Sequence, residues 1–63
     1  MQIFYSVKSQ YYADGTKKAE LNGTVRAFKK PDNTMTKLLY KEVYIDWFLT
    51  KREAFAKIKA VRG

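Results

Sequence analysis

Cysteine and histidine are both missing from this 63-residue chain, and glycine and proline are scarce, at three and one. The first two absences exclude disulfides and any zinc site built from thiolates or imidazoles. They also remove the side chains most often used as general base or strong nucleophile, leaving carboxylates, lysines, hydroxyls and phenols. Domains of this size commonly depend on a disulfide or a metal. Without either, the chain must rely on close packing of an aromatic-rich core or on a second copy of itself. Gly15, Gly23 and Gly63 are isolated, so there is no glycine-rich phosphate loop. No stretch approaches the ~20 apolar residues of a membrane span. The opening Met1–Lys8 breaks its apolar run too soon for a secretory leader. These absences predict a cytoplasmic protein with no membrane span.

The remaining acids offer little for catalysis. Glu42 and Asp46 stand four residues apart in a segment read below as a strand, which puts them on one face about 13 Å apart. Paired carboxylates acting on one bond need roughly 5–9.5 Å. Glu53 has a structural use, given below. The sequence therefore predicts a non-catalytic binding protein with no metal and no cofactor.

What the chain does have is positive charge. Thirteen Lys and Arg against six Asp and Glu give +7 at pH 7, enough to draw in a polyanion. Nucleic acid or an acidic protein surface is the predicted partner.

Alternation marks the strands. Over residues 2–12, Ile3, Tyr5, Val7 and Tyr11 share one face, with Phe4, Ser6, Lys8, Gln10 and Tyr12 on the other. Asp14-Gly15 then supplies a tight hairpin turn. Over residues 18–28, Ala19, Leu21, Val25 and Ala27 point inward and Lys18, Glu20, Asn22, Thr24, Arg26 and Phe28 outward. Gly23 falls on the inner face, where it either marks a bulge or leaves room for a large neighbour. Lys29–Thr34, containing Pro31, Asp32 and Asn33, reads as a second turn.

A long third strand is predicted over 37–48, rich in aromatic and β-branched residues, with Val43, Ile45 and Trp47 inward. Lys37 and Lys41 fall on the same nominal face, so a bend or bulge is expected before Val43. Thr50-Lys51-Arg52-Glu53 has the Ser/Thr-x-x-Glu form of a capping box. A helix over 51–62 follows, with Ala54, Phe55, Ile58 and Val61 as its apolar stripe.

The predicted fold is α+β: one domain, residues 1–63, with a three-stranded antiparallel meander and one C-terminal helix packed on one face, in the order βββα. Its core is Tyr5, Val7, Leu21, Val25, Val43, Ile45, Trp47, Phe55 and Ile58. A short five-stranded barrel ending in a helix is the alternative.

In this arrangement the outer face interleaves rings with cations. Such a surface suits single-stranded nucleic acid, because rings stack on bases while ammonium groups meet phosphates. The candidate nucleic-acid contacts are Lys8, Lys18, Arg26, Phe4, Tyr40 and Tyr44. Aromatics on an open face also serve cross-strand packing or a homodimer interface, and both readings stay open. Lys29, Lys30, Arg52, Lys57 and Lys59 form a secondary basic surface, suited to phosphates rather than to reading bases.

Tyr44-Ile45-Asp46-Trp47-Phe48 followed by Thr50-Lys51-Arg52-Glu53-Ala54 resembles the strand-then-capped-helix ending of small uncharacterised accessory proteins of phages and mobile elements of Gram-positive bacteria. The resemblance is confined to this segment and transfers no site residue. It implies an accessory protein, in a class that includes inhibitors of host enzymes and anti-defence proteins. The alternative function is therefore a small inhibitor or modulator docking on an acidic surface of a larger host protein.

Overall fold

A computed structural model describes all 63 residues. The elements are β1 (Gln2–Tyr12), β2 (Lys17–Ala27), β3 (Thr34–Lys37), β4 (Lys41–Phe48) and α1 (Lys51–Arg62). The four strands form one antiparallel sheet in the order β2-β1-β4-β3. The class is α+β as the alternation implies, but the sheet has four strands rather than three and is not a meander. The segment predicted as one strand over 37–48 is a hairpin that reverses at Leu38–Tyr40, closed by the Leu38 amide donating to the Lys41 carbonyl at 2.8 Å. The break expected before Val43 is thus a full turn, built from residues that carry no turn chemistry.

Between β1 and β2 the chain turns at Ala13–Thr16. Gly15 takes φ 93°, the Tyr12 amide donates to the Thr16 carbonyl, and the Thr16 amide donates to Asp14 Oδ1 at 2.9 Å. Connecting β2 to β3 requires Phe28–Asn33 to cross the ends of both central strands. Asn33 anchors the crossing, its Oδ1 accepting from the Trp47 amide at 2.8 Å.

Pairing decides which side chains share a face. Tyr5 lies opposite Phe48 and Val7 opposite Asp46, so the even-numbered residues of β4 join the odd-numbered residues of β1. Val43, Ile45 and Trp47 therefore lie on the face away from the helix, half-buried, and not in the core beneath it. In β2 the register shifts at Gly23, where Ser6 pairs with Gly23 but Val7 with Leu21, leaving Asn22 as an extra residue. A bulge of one residue inverts every later side chain. Val25 consequently sits on the helix-free face and Arg26 on the helix face, opposite Ile3. Ser6 secures the bulge, its hydroxyl donating to the Gly23 carbonyl at 3.1 Å.

Thr50 caps α1 as predicted, its Oγ1 accepting from the Glu53 amide at 3.2 Å, and Gly63 closes the far end with its amide on the Lys59 carbonyl. The helix lies chiefly over β2 and β1. Ala54, Ile58 and Val61 pack there on Val7 and Ala19, flanked by Tyr5, Tyr11 and Phe48. This core is smaller than the sequence implied. Phe55 is 52% exposed because its neighbour Ala54 takes the position facing the sheet, and Leu21, though on the helix face, lies on an edge strand and stays open to solvent.

Candidate nucleic-acid interface

One helix cannot cover both faces of a four-stranded sheet, and the uncovered face collects a distinct set of side chains. Down β1 it presents Phe4, Ser6, Lys8, Gln10 and Tyr12, with Lys18 and Glu20 beside them on β2 and Lys41, Val43, Ile45 and Trp47 on β4. Glu20 is the one carboxylate the strands place there.

At the end of this face nearest the two hairpin turns, the side chains form a connected network. Lys41 lies opposite Tyr12 and Lys18 opposite Gln10, so Tyr12 is flanked by cations from both neighbouring strands. Their ammonium nitrogens stand 5.2 Å (Lys41) and 5.5 Å (Lys18) from the Tyr12 ring centroid, within cation–π range. Lys41 also lies 5.6 Å from the Tyr40 ring and donates to Gln10 Oε1 at 2.8 Å, where the Tyr12 hydroxyl donates as well, at 3.0 Å. The Ala13 amide, donating to the Tyr40 carbonyl at 2.9 Å, ties the two turns together and holds Tyr40 beside this group.

The predicted contact residues are only partly brought together. Lys8 and Lys18 are on the open face, and Tyr40 is exposed at its margin. Phe4 points to that face but is only 4% exposed, opposite Val25 on β2, so it offers no ring for stacking. Tyr44 is on the helix face, edge-on to Tyr11 at 5.5 Å. Its hydroxyl donates to Glu42 at 2.9 Å, and this bond to a carboxylate holds the phenol above its ordinary value. Arg26 is turned to the helix face by the bulge. The inverted register of β4 hid Lys41 and Trp47, and Tyr12 lay on the predicted face without being singled out.

Among thirteen Lys and Arg there is one ion pair, Lys57 with Asp46 at 4.0 Å; the other twelve have no carboxylate within that distance. Of the secondary basic surface, Lys29 and Lys30 are exposed in the β2–β3 connection and Arg52 and Lys59 on the helix, while Lys57 is the paired residue. No helix is long and apolar enough to cross a membrane. No protein-family model, curated protein or solved structure matches the chain, and the site is read from its own geometry.

Proposed function

We propose that this protein is a non-catalytic module that binds single-stranded nucleic acid across the helix-free face of its sheet. The observation that carries the reading is the group at one end of that face: Lys18 and Lys41, neither paired with a carboxylate, on either side of the Tyr12 ring, with Lys8 further along the same strand face. Single strands are favoured over duplex because a sheet surface offers rings to unstacked bases and cations to the backbone. Tyr12 and Trp47 supply rings about 20 Å apart along the strand direction, six residues at ~3.3 Å each. The intervening surface is long enough for several nucleotides.

A labelled oligothymidylate titrated at 50 and 200 mM salt tests this. Three phosphate contacts on a single strand give a log–log salt slope near −2, so affinity falls roughly twenty-fold across that range. Absence of saturable binding at the lower salt would refute the proposal.

The second reading, docking on an acidic surface of a host protein as an inhibitor or anti-defence factor, draws on Leu39 and Phe28. Both are large apolar side chains left almost wholly exposed in turns, where a nucleic-acid platform has no use for them. Recovery of a stoichiometric protein partner from lysate after nuclease digestion would favour it.

A further inference from the structure

Within the network around Tyr12, Gln10 is only 9% exposed, yet half of its amide has no protein partner. An ammonium can only donate, so the Gln10 atom 2.8 Å from Lys41 Nζ must be the oxygen, and the amide orientation is fixed. The Tyr12 hydroxyl takes the same oxygen's other lone pair. The Gln10 NH2 group has no acceptor in the protein and is not sealed from solvent, so its donors open to the surface. Its neighbours on the sheet are Lys8 and Tyr12 along β1, Lys18 and Val43 directly across, and Lys41 diagonally. Gln10, Tyr12, Lys17, Lys18, Glu20 and Arg62 line an open hollow at this position. A fixed amide donor amid ammonium groups, one carboxylate notwithstanding, is chemically suited to an anionic oxygen.

We infer that Gln10 is the centre of a phosphate subsite, its NH2 donating to a phosphate oxygen that Lys18, Lys8 and Arg62 neutralise. The inference rests on the nucleic-acid reading above and specifies where the strand is anchored. With the phosphate held there, the Tyr12 ring stands next to the adjoining base. The same chemistry serves an internal phosphodiester or a terminal phosphate monoester.

The test uses 15N-labelled protein and follows the side-chain amide resonances of Gln10 on adding inorganic phosphate, a 5′-hydroxyl oligothymidylate, or the same strand carrying a 5′-phosphate. At least the phosphorylated strand should move them. A response to the 5′-hydroxyl strand identifies an internal phosphodiester as the occupant, and a response confined to the phosphorylated strand identifies the terminal group. Gln10→Glu keeps the side-chain shape and its acceptor for Lys41, so the fold is retained, but it sets a carboxylate against the phosphate. Strand affinity should drop about tenfold or more. Strands that bind without moving the Gln10 resonances, and bind Gln10→Glu equally well, overturn the subsite and leave the platform standing. Phosphate moving the resonances while no strand binds overturns the platform and leaves the subsite as a small-anion site. Silence from all three probes overturns both.

Discussion

Lys41 and Tyr12 face each other across β1 and β4, and the ammonium that lies 5.2 Å from the Tyr12 ring also donates to the Gln10 carbonyl that the Tyr12 hydroxyl shares. One cation thus orients both a ring and an amide on the open face. The two partners should fail differently. Tyr12→Leu removes a stacking surface and should weaken single-strand binding by about 1–3 kcal/mol with little change in salt slope. Lys41→Met removes a charge and should flatten the slope by about 0.7. Anisotropy titrations over several salt concentrations separate the two. Unchanged affinity of Tyr12→Leu beside a flattened slope for Lys41→Met would mean charge attraction alone.

Trp47 is the protein's one tryptophan and sits half-buried on the same face, opposite Ser6. Its emission should fall between those of a core and a solvated indole and should change when an oligonucleotide covers the face. Should a homodimer use this face instead, emission would change with protein concentration before any nucleic acid is added, and the midpoint of unfolding would rise with it. A spectrum insensitive to both would remove Trp47 from any interface.

Several elements were legible because local chemistry decides them. Asp14-Gly15 makes its turn, Thr50 caps its helix, and alternation finds β1, β2 and β4. What escaped depends on pairing between distant segments. Leu38-Leu39-Tyr40 has no glycine, proline or asparagine to announce a reversal, so β3 and β4 read as one strand. Alternation also says which residues share a face but not which face meets the helix. The Tyr5–Phe48 pairing settles that for β4, and it sent Trp47 outward and Tyr44 inward, dividing the candidate contacts between two surfaces. Gly23 allowed either a bulge or room for a large neighbour; that it is a bulge, and that it inverts Val25 and Arg26, follows only once the partner strand is known.

The narrow core predicts a sharp contrast along α1. Ile58 is 8% exposed against Val7 and Ala19, so Ile58→Ala should destabilise by roughly 2–5 kcal/mol. Half-exposed Phe55 should lose under about 1.5 kcal/mol on change to Ala, since only about half of its area leaves water. Urea unfolding of the two variants checks this. Comparable losses would mean that α1 is rotated to bury Phe55.

Acid should loosen the β1–β2 hairpin through Asp14. Its Oδ1 accepts the Thr16 amide at 2.9 Å, and that bond, reinforced by the Thr16 hydroxyl, holds the carboxyl below its ordinary value of 3.8. A depressed value in the folded state means the folded protein binds a proton less readily than the unfolded chain. The resulting stabilisation is complete above the ordinary value and disappears as pH falls through the folded one. Asp14→Asn keeps an oxygen acceptor for the Thr16 amide but cannot titrate, so it serves as the reference. Between pH 6 and pH 2 the parent should lose more stability than Asp14→Asn, with the difference developing from just below pH 4 downward. The parent's margin over the variant should be greatest near neutrality and vanish in strong acid. Urea midpoints for the two proteins at half-unit pH steps provide the comparison, and parallel curves throughout would show that the Thr16 amide does not hold the Asp14 carboxylate in solution.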